Sequence, residues 1–189
     1  MDTEHFSLRP FPGEEPATGL KIAGTIGRRG KTLSIECTLA GTLSELAIPP
    51  PEEDPKRRGR LWEETCLELF LAKKGDERYW EFNFSPAGHW NVYRFASYRE
   101  EMQEEAMFSS LPFRVGVEPE AIRFSADLGI GKILPADWTV EAAVSAVVRT
   151  LDGRTSHWAL VHAGPRPDFH RRKGFTLTIP ADPGPAFTS

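Results

Sequence analysis

The segment LWEETCLELFL, residues 61–71, decides how the rest of this chain is read. Thr65, Leu67, Leu69 and Leu71 fall on one face of an extended chain, and Glu64, Cys66, Glu68 and Phe70 on the other. A period of two marks a β-strand with one face on a core. The second face carries acids where a buried strand would carry aliphatic groups, so its purpose is the functional question.

Neighbouring segments repeat the pattern. In RYWEFNFS (78–85), Trp80, Phe82 and Phe84 share one face and Tyr79, Glu81 and Asn83 the other; in HWNVYRF (89–95), Trp90 and Val92 oppose His89, Asn91 and Tyr93. LKIAGTIGR and TLSIECTLAG alternate around a short Gly-containing turn at 28–31 and form a hairpin by their spacing. AIRFSADL and WTVEAAVSAVVRT are strands, the second turning at Asp152-Gly153 into SHWALVHAG, and GFTLTI closes the domain. Between them, YREEMQEEAMF (98–108) is the one stretch expected to form a helical turn or two. Many short strands separated by turn signals predict an all-β antiparallel β-sandwich of jelly-roll type with little helix. The 189 residues make one domain, with 1–17 and 180–189 expected as tails.

A net charge of −4 argues against the surplus of Lys and Arg that phosphate binding requires, and the one basic run, Lys56-Arg57-Arg58-Gly59-Arg60, follows acids and reads as a solvated loop, so no nucleic-acid partner is expected. No stretch has the length of a membrane helix, and the acidic N-terminus MDTEHFSLRPFPGEEP is unlike a signal peptide, so no membrane partner and a cytoplasmic setting are expected. Cys37 and Cys66 sit in strand patterns without metal-motif spacing and read as buried free thiols. The sequence leaves the oligomeric state open.

If 65–71 and 79–84 pair, Glu68 shares a surface with Glu81 and Asn83, and Asn91 and Tyr93 extend it. Carboxylates and carboxamides beside aromatic rings suit a sugar, whose vicinal hydroxyls take paired acceptors and donors and whose C–H face takes a flat ring. Trp62, at the loop-strand junction, is a candidate for that ring, with a place in the core as the alternative.

In combination, LWEETCLELFL, YWEFNFSPAGHWNVYRF and HWALVHAGPRPDFH…GF resemble bacterial DOMON-like proteins, relatives of the family nine carbohydrate-binding modules, over the span from Leu61 to the final strand. The resemblance implies a β-sandwich and, in the carbohydrate-binding relatives, a sugar held between two tryptophans. It assigns Trp62 as the first and Glu68, six residues on, as the glutamate of the polar strand. Glu81 and Asn83 match the polar pair of the next strand, although Glu81 stands where the xylan-binding relative has an arginine. Trp158 is the candidate second tryptophan, with a core position as its alternative; Trp80, Trp90 and Trp138 are expected in the core.

The resulting expectation is a non-catalytic module for a small saccharide, using Trp62, Glu68, Glu81, Asn83, Asn91, Tyr93 and Trp158, with no cofactor. Two alternatives stand beside it. Glu68 and Glu81 could serve a glycoside hydrolase-like enzyme, at ~5 Å if directly opposed, whereas Glu64 and Glu68 lie ~13 Å apart along one strand. Some DOMON domains hold haem, for which His89, His162 or Met102 are conceivable axial ligands; no CxxCH is present. Calcium could bind acidic loops such as Glu52-Glu53-Asp54, which more commonly are solvated. His162, Asp168 and His170 match no zinc spacing; Asp168 is expected to brace the turn at Arg166-Pro167 and His170 to bond to backbone.

Overall fold

The computed structural model describes residues 3–182 and 184. Twelve strands are present: β1 (Thr3–Pro10), β2 (Lys21–Arg29), β3 (Thr32–Ala40), β4 (Cys66–Lys73), β5 (Tyr79–Phe84), β6 (Trp90–Phe95), β7 (Gln103–Glu104), β8 (Phe113–Glu118), β9 (Ala121–Gly129), β10 (Val140–Arg149), β11 (Thr155–Ala159) and β12 (Leu177–Ile179). All pair antiparallel. Helix among the described residues is confined to three-residue 3-10 turns.

One sheet runs β1-β2-β3-β9-β8 and the other β7-β6-β5-β4-β10-β11, with β12 beside the start of β10. Strand β1 joins them: Thr3 to Leu8 pair with β2, then Arg9 and Pro10 pair with β11. A strand that changes sheets makes a sandwich corner. The result is an antiparallel β-sandwich.

The inward positions are those the alternation selects. Leu67, Leu69 and Leu71 of β4 meet Phe82, Phe84, Val140, Val144 and Val148 from their own sheet, and Ile22, Leu33, Ile35, Ile122 and Leu128 from the facing one. Gly24 interrupts the apolar pattern of β2 for a steric reason: a Cβ there would lie 2.0 Å from the Glu36 carbonyl oxygen and 2.7 Å from the Phe6 ring. Trp90 and Trp158 lie in this core, and Trp80 and Trp138 pack against it half-buried. Cys37 and Cys66 are buried thiols.

The outer face of the second sheet carries a smaller core of its own. Phe70, Ala72, Tyr79, Tyr93, Phe95, Ala143 and Phe175 form it, with Trp62 and Phe169 against its edge. The chain after β11 folds back across this face, which is why β4 and β5 are buried on both sides.

Three expectations need correction. Residues 3–10 are no tail, because they form β1, and residues 1 and 2 lie outside the described part. The stretch 98–108 forms turns and the short β7 instead of helix, its chain bent by positive φ at Arg99 (56°) and Glu101 (51°). Of the expected tail 180–189, Asp182 is tied down: its carboxylate accepts the Gly30 amide at 2.8 Å and its own amide donates to the Ala136 carbonyl. Residues 183 and 185–189 lie outside the described part.

Candidate functional site

The register of β4 places Glu68 opposite two polar residues. It lies across from Asn83 on β5 and Ser145 on β10, while Glu81 lies across from Phe70 on one side and Tyr93 on the other. Glu68 and Glu81 are therefore diagonal neighbours, not an opposed pair. Ser145 Oγ donates to Glu68 Oε2 at 3.3 Å, and Asn83 Nδ2 donates to Glu81 Oε1 at 2.8 Å. The Cys66 thiol donates to Asn83 Oδ1 at 3.6 Å, so Asn83 is held from both ends.

Trp62 arrives from a 3-10 turn, Leu61–Glu63, that follows Arg60 in left-handed conformation. Leu61 is buried and anchors the turn; Trp62 remains half-buried and meets the edge of Tyr93 at 5.7 Å. Opposite, the segment after β11 brings Pro167, Asp168, Phe169 and His170 over the sheet. It is latched to the loop after β6, because Asp168 accepts hydrogen bonds from Tyr98 Oη (2.6 Å), Arg99 (3.1 Å) and Arg171 (3.0 Å). Between these segments lies a cavity of about 300 Å³, walled by Trp62, Phe95, Phe169 and His170 and floored by Glu68 and Glu81. Arg99, Met102, Val147, His157, Pro167 and Asp168 complete it. This volume is at the small end for a ligand pocket.

Burial controls the electrostatics. It pushes the Glu81 carboxyl up to about 7, against the pull of the Asn83 hydrogen bond and the Arg99 charge. Burial, with the neighbouring Glu81 charge, pushes Glu68 well above the carboxylate range. Two carboxyls this close and this dry resist ionising together. Burial, then the Arg99 charge, lowers His170 to about 4, so its imidazole is neutral near pH 7. Tyr79 is raised to about 12, chiefly by burial, and keeps its proton. Its oxygen accepts the Arg99 backbone N–H at 3.1 Å and donates to His170 Nδ1 at 2.9 Å. That fixes the tautomer: Nε2 carries the hydrogen and faces Glu81 Oε2 at 3.7 Å. Asp168, though burial acts to raise it, is held below its usual value by Tyr98 and Arg99.

Trp62, Glu68 and Glu81 thus line one cavity, and Asn83 lies fully buried behind Glu81. Asn91 and Tyr93 do not line it. Asn91 Nδ2 donates to the Arg58 carbonyl, Tyr93 Oη and Glu104, holding the chain that leads to Trp62. Trp158 must be corrected. Its partner across the ladder is inward-facing Ala146, so its indole enters the main core and donates to Ser156 Oγ at 3.0 Å. Phe169, rather than Trp158, is the other loop-borne aromatic residue that lines the cavity with Trp62. His170 bonds to the Tyr79 side chain, not to backbone, while Asp168 does brace its turn by accepting the His170 amide at 3.3 Å.

Of the residues missed, His157 had a usable signal. In SHWALVHAG a period of two puts His157 opposite Trp158, on the cavity side, where Glu14 holds its ring at 2.7 Å. Arg99 and Phe169 sit in irregular loops whose position no periodicity reports.

The conceivable haem ligands do not converge: His89 accepts the Lys56 amide, His162 bonds the Arg9 carbonyl, and Met102 alone lines the cavity. In the acidic loop, Glu52 pairs with Arg58 and Asp54 with Lys56, and among the described residues no three His, Cys, Asp or Glu converge as a cation site.

No protein-family model matches the chain, and no curated protein matches it in sequence. Solved structures do share its fold. A protein of Bacteroides uniformis ATCC 8492, described as a candidate carbohydrate-binding protein, superposes with a TM-score of 0.63 at 14% identity, over 89% of this chain and 84% of that one. A family 9 carbohydrate-binding module of Caldicellulosiruptor kristjanssonii, in complex with cellotriose, gives 0.60 at 10% identity, over 99% and 86%. A module of that family and organism in complex with glucose gives 0.55 at 10% identity, over 92% and 83%. These likenesses define the class of fold, a β-sandwich of the kind found in carbohydrate-binding modules.

Proposed function

We propose that the cavity over β4 and β5 binds a small saccharide, without transforming it, as in the family 9 carbohydrate-binding modules the sequence resembles. The carrying observation is the combination in one hollow of an aromatic wall from Trp62, a second from Phe169, and a floor of hydrogen-bonding carboxyls from Glu68 and Glu81. The volume suits one or two sugar units. A roomier hollow of about 540 Å³ beside Pro49, Pro50 and Arg149 has no Phe, Tyr or Trp on its wall and offers no stacking surface. Fold likeness to modules in complex with glucose and cellotriose supports the same reading. In this reading Trp62 and Phe169 sandwich the ring, Glu68 and Glu81 read hydroxyls, and Asn83, Asn91 and Tyr93 hold those groups in place. Calorimetric titration with glucose and cellotriose tests it: saturable binding is expected, and no heat at millimolar sugar would overturn it.

A hydrolytic reading draws on one observation, the Glu81 carboxyl pushed up to about 7, a value suited to a general acid. Its register is less favourable, since Glu68 and Glu81 are diagonal. Turnover of an aryl glycoside that disappears in Glu68→Gln would favour it, and absence of turnover in the unaltered protein favours simple binding.

A further inference from the structure

The floor of the cavity holds two carboxyls and, among the described residues, no cation bonded to either. Glu68 has its hydrogen bond from Ser145 Oγ on Oε2, which leaves Oε1 for a ligand. Glu81 is bonded by Asn83 on Oε1, while Oε2 has only the neutral His170 N–H at 3.7 Å. The nearest guanidinium, Arg99, is turned to Asp168 at 3.1 Å. His157 is engaged by Glu14. Such a floor is short of positive charge, and a buried carboxyl without a counter-charge is unfavourable. A sugar hydroxyl supplies a hydrogen bond but no charge. An ammonium supplies both, with three donors on one nitrogen, and aromatic walls favour a cation further.

Resting on the saccharide reading above, we infer that the ligand of this cavity is an amino sugar whose protonated amine sits between Glu68 and Glu81. The sugar ring then occupies the space between Trp62 and Phe169. Seating the ammonium draws both carboxyls into their ionised form, and the protons they carried pass to the buffer. No bond to the sugar is made or broken.

Calorimetry near pH 6, where the free amine is protonated and Glu81 is not fully ionised, tests this with glucosamine, glucose and N-acetylglucosamine, the last bulky at the same position but uncharged. Glucosamine is expected to bind at least ~10-fold more tightly than either. Its apparent enthalpy should vary with the ionisation enthalpy of the buffer, reporting proton release. In Glu68→Gln, with folding checked by circular dichroism, glucosamine should fall to the affinity that variant has for glucose; Glu81→Gln provides the same comparison if the first variant misfolds. Glucose binding as tightly as glucosamine, without buffer dependence, overturns the amine seat and leaves the saccharide reading standing. Failure of all three sugars to bind overturns both.

Discussion

The sheet containing β4 is buried on both faces, and the two are buried by different means. Inside, Leu67, Leu69 and Leu71 meet aliphatic and aromatic side chains from the opposite sheet, and the sandwich closes by removing apolar surface from water. Outside, the same strand presents Cys66, Glu68 and Phe70 to a covering built of loops, and about 300 Å³ remains open. The inner face satisfies its own polar groups, as where the Trp158 indole donates to Ser156 Oγ at 3.0 Å. The outer face accepts two carboxyls in a dry setting, which is unfavourable for folding and useful for recognition. The comparison teaches that polarity in a doubly covered strand marks the face that borders the open cavity.

The largest expected effect separates the faces by stability. Leu69→Ala or Trp158→Ala, each opening a hole in the inner core, should cost about 2–5 kcal/mol in urea unfolding and leave the affinity of the folded fraction for sugar unchanged. Loss of affinity in Trp158→Ala without loss of stability would return Trp158 to the site.

Next in size is the response to pH, on the order of 1–3 kcal/mol. Glu81 rises from an ordinary 4.5 to about 7 on folding. Between those values the unfolded chain gives up a proton that the folded protein keeps, so stability falls as pH rises. Glu68, raised well above 4.5, adds to that fall from the same starting pH and continues it above 7. His170 drops from 6.5 to about 4, so between those values the unfolded chain holds a proton the folded protein lacks, and stability rises with pH. The two effects oppose up to about pH 6.5, and only the carboxyl contribution remains above it. Unfolding midpoints should fall gently from about pH 4.5 to 6.5, where the one imidazole offsets only one of the two carboxyls, and more steeply between about 6.5 and 7. His170→Gln should steepen the fall between about 4.5 and 6.5, and Glu68→Gln should flatten its alkaline part.

A smaller effect is expected from the latch. Asp168→Asn keeps the shape but removes the charge that gathers Tyr98, Arg99 and Arg171, all partly exposed. Its cost in stability should be under about 1 kcal/mol, with a several-fold weaker sugar affinity as the cavity loosens. A Tm unchanged together with unchanged affinity would show that the latch does not shape the site.

The fold was legible where period two was strong. The alternation in β4, β5, β9 and β10 picked out the inward residues, and Gly30 and Asp152-Gly153 marked two hairpins. Pairing between strands distant in the chain was not, since nothing local in 66–73 says that β10 lies beside it and brings Ser145 to Glu68. Within the site, Trp62, Glu68, Glu81 and Asn83 could be read because they lie on or next to regular strands. Arg99, Phe169 and His170 could not be placed, because a loop folding back across a sheet leaves no periodic trace. The error over Trp158 arose from choosing the wrong side of β11: its neighbour His157 is the residue that faces the cavity.

The most direct test of the central claim is a calorimetric sugar titration of the unaltered protein beside Trp62→Ala, each followed by thermal unfolding. The expected result is saturable binding that weakens at least ~10-fold in the variant, with nearly the same Tm, because Trp62 stands at the rim of the outer cluster. Equal affinity in the two proteins, or no binding to either, would contradict the account.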